Sequence, residues 1–127
     1  MVKLKSIGRR NPQDNTAPEQ YYAHAVADGF VDLERLAFLV SNQCTVREAD
    51  CLAVLNALQH NVMDELSQGR VVQLGNLGNF QVGVRSNPSE QLGEVSPTNV
   101  RSAHINYRPG KRIKNMLKAL EYKVSNV

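Results

Sequence analysis

With 127 residues, 42% of them hydrophobic and 21% charged, and a formal net charge of +3, the chain has the size and composition of one globular domain with a core of limited extent. Tryptophan is absent and Phe and Tyr number three and four, which argues against a large aromatic cofactor pocket. No apolar run approaches the roughly 18 residues of a membrane span, and the opening "MVKLKSIGRR" has no signal-like apolar segment, so the expectation is a soluble cytoplasmic protein.

The charge is polarised along the chain. Residues 1–10 hold Lys3, Lys5, Arg9 and Arg10 and no acid, and residues 100–127 hold seven cations against Glu121 alone. Residues 11–99 contain four Arg and eleven acids. Such segregation suggests a basic face if the two ends meet, and a basic face suggests a polyanion. Cys44 and Cys51 lack the spacing or number of a disulfide framework or metal cluster.

Residues 2–8 alternate as a weak strand, and "RRNPQDNTAPEQ" reads as a loop by its Pro, Asn and Asp. "YYAHAVADG" (21–29) reads as a second short strand ending on Asp-Gly. Asp32 then stands as an N-cap, with Val31 and Leu36 placed as a hydrophobic staple. Leu33, Leu36, Ala37 and Val40 follow helical spacing, and Asn42-Gln43 ends that helix. Thr45-Val46-Arg47-Glu48 reads as a capping box opening a second helix from Val46 to about Ser67, with Gly69 as its C′ residue. Leu52, Leu55, Val62, Met63 and Leu66 share one face, which Cys51 and Leu58 widen. A helix of this length that is apolar around much of its girth needs cover, and a second copy of the chain is the simplest cover. This suggests a homodimer, the other reading being a compact monomer in which the sheet packs on this helix.

"VVQLGNLGNF" (71–80) then reads as a β-hairpin turning on Gly and Asn, and Gln81–Val84 continues its strand. Residues 85–103, "RSNPSEQLGEVSPTNVRSA", read as an exposed arm or long loop, of a length that is uncommon unless functional. "HINYR" (104–108) alternates as a strand. Pro109-Gly110 opens a short helix with Pro109 near N1 and Ile113, Met116, Leu117 and Leu120 on its buried side. "EYKV" could form a terminal strand.

In this order of elements, the stretches "TVREADCLAVLNALQHNVMDELSQGRVVQLGNLGNF" and "NYRPGKRIKNML" resemble the bacterial HU/IHF-type histone-like DNA-binding family. The resemblance runs from about Val31 to Leu120. The first 30 residues, with "RRNP" and "YYAHAV", and the closing "LEYKV" resemble the extension of longer HU-like variants of Bacteroides type. The resemblance implies an α+β, IHF-like fold: a helical dimer body with β-hairpin arms and extra N-terminal strands. It implies an N-terminal β extension over 1–30 and an HU-like domain over 31–127. The implied function is largely sequence-independent binding of double-stranded DNA at the nucleoid, as a homodimeric architectural protein. The alternative is an HU-like dimer that has lost DNA binding and serves as a structural or protein-interaction module.

The candidate DNA-binding residues are Arg70, Arg85, Asn87, Pro88, Arg101, Arg108, Lys111, Arg112 and Lys114. Arg108, Lys111 and Arg112 bracket the N-terminus of the last helix, where unpaired amides and the dipole favour a phosphate. Arg70 precedes the hairpin, and Arg85 and Arg101 mark the two sides of the arm base. Lys114 and Lys118 fit the exposed face of an amphipathic helix better than they fit specific contacts. Family arms are basic and carry an Arg-Asn-Pro tip whose Pro wedges between base pairs. Here Ser86 replaces that Arg, Asn87-Pro88 lies closer to Phe80, and Glu90 and Glu94 balance Arg85 and Arg101, so strong kinking is not expected. Asn76 stands where the family has Gly, with αL tolerated by Asn, and Phe80 reads as a core anchor. Cys44 reads as a small buried residue. No nucleophile elbow, phosphate-binding loop or His/Cys/carboxylate cluster is present. Neither an enzyme, a cofactor nor a small-molecule substrate is therefore expected.

Overall fold

The alternating stretch at the N-terminus does form a strand. The computed structural model describes residues 1–125, in the order β1 (Val2–Arg9), β2 (Gln20–Val26), α1 (Leu33–Ser41), α2 (Glu48–Ser67), β3 (Val72–Gln73), β4 (Asn79–Ser86), β5 (Val100–Arg108), α3 (Lys111–Lys118) and β6 (Tyr122–Val124). This is a mixed α+β chain with three α-helices and two three-stranded sheets among the described residues. It divides into two units, one from residues 1–32 with the segment following Met116, the other from Leu33 to Met116.

In the first unit the strand order is β2-β1-β6. β1 and β2 run antiparallel, from Lys3 opposite Val26 to Arg9 opposite Gln20. β6 lies parallel to β1, pairing Val2 with Tyr122 and Leu4 with Val124. The Val2 amide donates to Glu121 O and the Ser125 amide to Leu4 O, both at 2.8 Å. β6 thus takes the free side of β1, and the N-terminal strands make a sheet of their own with the C-terminal one. β2 stops at Val26, before the loop in which Gly29 takes φ 89°. The intervening loop is held by Asx turns: Asn11 Oδ1 accepts from Gln13 N, and Asp14 Oδ1 from Thr16 N, each at 3.0 Å.

In the second unit α1 and α2 pack together. Helix α1 starts at Leu33, which leaves Asp32 at the N-cap position. The start of α2 departs from the sequence pattern. Its N-cap is Arg47 in an extended conformation with no side-chain cap, so the Thr45–Glu48 capping box does not form. The helix begins two residues later than Val46, and at that offset Thr45 precedes the cap. Cys44 lies exposed in the linker, whereas Cys51 is buried one turn into α2. The other end follows expectation. Gly69 takes φ 83°, Arg70 N donates to Glu65 O at 3.2 Å and Gly69 N to Leu66 O at 3.0 Å, a Schellman closure.

The second sheet has the order β3-β4-β5. The expected hairpin is present, though β3 contributes only Val72 and Gln73, opposite Phe80 and Asn79. A 3₁₀ turn over Gly75–Leu77 connects them. No non-glycine residue among those described has positive φ, so Asn76 does not take αL. Gly75 at φ 58° and Gly78 at φ 115° carry the turn instead. The long hairpin is β4–β5, and both strands run beyond the predicted ends, to Ser86 and from Val100. Helix α3 starts at Lys111, two residues after Pro109, and stops before Leu120. Pro109 therefore lies outside N1. Ile113 is half-buried, while Met116 and Leu117 are about half exposed.

Candidate nucleic-acid interface

Two glycine-containing turns meet backbone to backbone at the root of the β4–β5 hairpin. A Cβ on Gly78 would strike Arg108 O and Pro109 Cα, and a Cβ on Gly110 would strike Asn76 O. Tyr107 opposes Phe80 across the ladder, their ring centroids 5.0 Å apart at 37°, and its hydroxyl donates to Leu77 O at 2.6 Å. These contacts seat "GNLGNF" against "YRPGK" and place Arg108, Lys111 and Arg112 at one corner of the arm.

Register then sorts the arm's side chains, because paired residues share a face and alternate residues oppose. Asn79 faces Arg108, Gln81 faces Asn106, Gly83 faces His104 and Arg85 faces Ser102, a polar face with an arginine near each end. Phe80 with Tyr107, Val82 with Ile105 and Val84 with Ala103 make the other face, which is apolar. His104 Nε2 and Asn106 Nδ2 lie over Gly83, filling the space a side chain there would need. A concavity of about 580 Å³ opens at the root, lined by residues including Asn79, Gln81, Asn106 and Arg108.

Arg85 and Arg101 lie at the distal end of the paired strands, whereas the base is the Asn79–Arg108 pair. A register shift after Arg85 pairs Ser86 with Val100, leaving Arg101 at the irregularity. Asn87 and Pro88 begin the loop beyond. Asn87 N donates to Asn99 O at 2.8 Å, and Asn99 Nδ2 donates to Ser89 Oγ at 2.8 Å and to Asn87 O at 3.3 Å. Ser96 and Asn99 make a reciprocal capping box on the returning side. Leu92 and Val95, in the loop between, are 98% and 69% exposed. Sequence pattern did not single out these apolar side chains, since a lone Leu in a polar loop carries no periodic signal.

At the other end, the amides of α3 open toward Gly110, whose carbonyl accepts from Lys114 N at 3.0 Å. No acid occupies the first turn of α3, and Lys111 and Arg112 do. Cations at the positive end of a helix dipole are unfavourable by themselves, and an anion there relieves both. Lys111, Arg112, Lys114 and Arg108 are all exposed. Arg70, by contrast, pairs with Glu65 at 2.6 Å and lies on the α2 side of β3. Exposed pairs of this kind are worth little, so that arginine can exchange partners.

The HU-HIG family model, described as an HU domain fused to a winged helix-turn-helix, Ig or glycine-rich motif, matches residues 1–123. The chain belongs to the HU-HIG family. A crystal structure from Bacteroides vulgatus ATCC 8482, of a protein described as a candidate bacterial DNA-binding protein, is similar with a TM-score of 0.65 at 15% identity. The likeness covers 96% of this chain and 47% of that one, so this chain spans about half the length of its structural relative. At that identity the likeness concerns the fold. No curated protein matches the sequence.

Proposed function

We propose that this HU-HIG chain binds double-stranded DNA largely without sequence preference, as an architectural protein of the nucleoid, and does so as an IHF-like homodimer. The observation that carries the reading is the two-sided arm. Its polar face runs from Arg85 to Arg108 and continues into the basic mouth of α3, while its other face is apolar. Cations at a helix mouth and along a strand neutralise phosphates and read no base, and HU family membership points to the same partner. In this reading Arg108, Lys111 and Arg112 supply affinity, with Lys114 and Arg70 at the margin. Arg85, Arg101, Asn87 and Pro88 govern how the distal arm engages the minor groove.

Apolar surface left open on the single chain supports the dimer. Among the described residues Ala37 and Cys51 are the buried hydrophobics, while Val54, Leu58 and Met63 on α2 remain 64%, 44% and 63% exposed. The accessible surface is 10978 Å². A compact monomer of this mass exposes about 6,700 Å², and even two separate globules sharing it expose about 8,000 Å². A second copy of the chain covers such faces.

Titration of a labelled random-sequence duplex across a salt series tests the reading. Affinity should fall steeply with salt, with a slope of about −0.9 for each phosphate neutralised. Lys111→Ala with Arg112→Ala should weaken binding to all duplexes alike. Absence of binding at low salt, or unchanged affinity in the double variant, would count against it.

A further inference from the structure

The N-terminal sheet also sorts its side chains by chemistry. Lys5 stands opposite His24, Ile7 opposite Tyr22 and Arg9 opposite Gln20, while Lys3 is flanked by Val26 and Lys123. By the same rule of shared faces, one side of the sheet carries Lys3, Lys5, Arg9 and Lys123 with His24 and Tyr22. The other side carries Val2, Leu4, Ala23, Ala25, Tyr122 and Val124 and no cation.

Neighbouring acids leave most of this charge uncompensated. Asp28 pairs with Lys3 at 2.9 Å. The Glu19 carboxylate occupies the space where a Cβ on Gly8 would project, on the face opposite Arg9. Asp14 is bound to Thr16 within the loop. Lys5, Arg9 and Lys123 are exposed and make no ion pair among the described residues. Arg9 and Arg10, with Gln20 and Tyr22, line a concavity of about 570 Å³ at the end of the strip.

We propose that this face is a second DNA-contacting surface, on which Lys5, Arg9, Arg10 and Lys123 hold the phosphodiester backbone of the duplex. It rests on the DNA-binding reading above and adds a site to it. The six residue steps from Lys3 to Arg9 span about 20 Å, the length of about six base pairs at 3.4 Å each. A row of cations in which the ion pair to Asp28 engages Lys3 and leaves Lys5, Arg9 and Lys123 unpaired among the described residues suits a uniform polyanion.

The test uses the full chain and the same labelled random duplex. The triple variant Lys5→Gln, Arg9→Gln, Lys123→Gln should lower the slope of log affinity against log salt by about 2.7 for each protomer on the duplex, or about 0.9 for each lost contact. The double variant Arg35→Gln, Arg47→Gln, which removes cations elsewhere, should leave the slope unchanged. Circular dichroism and the thermal midpoint check folding. If the triple variant does not fold, Lys5→Gln alone should lower the slope by about 0.9 for each protomer on the duplex. A wild-type slope in a folded sheet variant overturns the proposal and leaves the arm's DNA binding standing. An equal loss per charge in the control double variant reduces the effect to net charge and also overturns it. Failure of the wild-type chain to bind at low salt removes both readings together.

Discussion

At Gly78 and Gly110 a Cβ would strike backbone atoms, which cannot swing aside as a side chain can. At Gly78 both constraints apply, a φ of 115° and a backbone in the path of any Cβ. Gly78→Ala should cost about 2–4 kcal/mol, measured from the denaturant midpoint, since strain and overpacking add. Gly93, with open space around its Cβ position, should accept Ala within about 0.5 kcal/mol. Asp28 offers a test of the N-terminal unit. Its carboxyl is held below the ordinary aspartate range, first by the hydrogen bond from Lys3 and then by the Lys3 charge. A depressed folded-state pKa means that its contribution is present above the unfolded value and is lost as pH falls through the folded one. The window therefore lies below about pH 4. An NMR titration should place the Asp28 midpoint below that of an unfolded aspartate, and Lys3→Ala should raise it.

Among the elements, the distal loop is tied down chiefly by Asn99. Its side chain reaches Ser89, Asn87 and the Ser96 amide, which joins the outgoing and returning sides of residues 87–99. Asn99→Ala should cost about 1 kcal/mol and speed hydrogen exchange at the Ser96 amide, with little change at Phe80 or Tyr107. Unchanged exchange at Ser96 would show that the strands alone set the loop. This part of the chain was only partly legible in sequence. The Pro and Ser/Thr content of 85–103 marks an arm, but "VRSA" does not alternate, so β5 reads as starting at His104. Pairing with β4 extends it to Val100 because each added residue satisfies backbone groups that would otherwise face water. The same limit explains the start of α2. Thr45–Glu48 fits the capping-box pattern, yet an extended Arg47 delays the first turn and takes the cap position.

For the whole molecule, the largest claim concerns the faces that one chain leaves uncovered. If Val54, Leu58 and Met63 meet a second copy, Met63→Lys should abolish the dimer seen by light scattering. The wild-type thermal midpoint should rise with protein concentration. A monomeric wild-type chain with a concentration-independent midpoint would refute the homodimer. Sequence by itself determined the helix–helix–hairpin–strand–helix order, the HU resemblance and the basic corner at Arg108, Lys111 and Arg112. Periodicity, turn residues and local charge are properties of neighbours along the chain, and they survive in a one-dimensional reading. Tertiary structure decided that β6 pairs with β1, that the arm has one polar and one apolar face, and that Lys3, Lys5, Arg9 and Lys123 share a surface. Each of these depends on strand register between segments distant in sequence. A one-residue shift in register would send every one of those side chains to the opposite face.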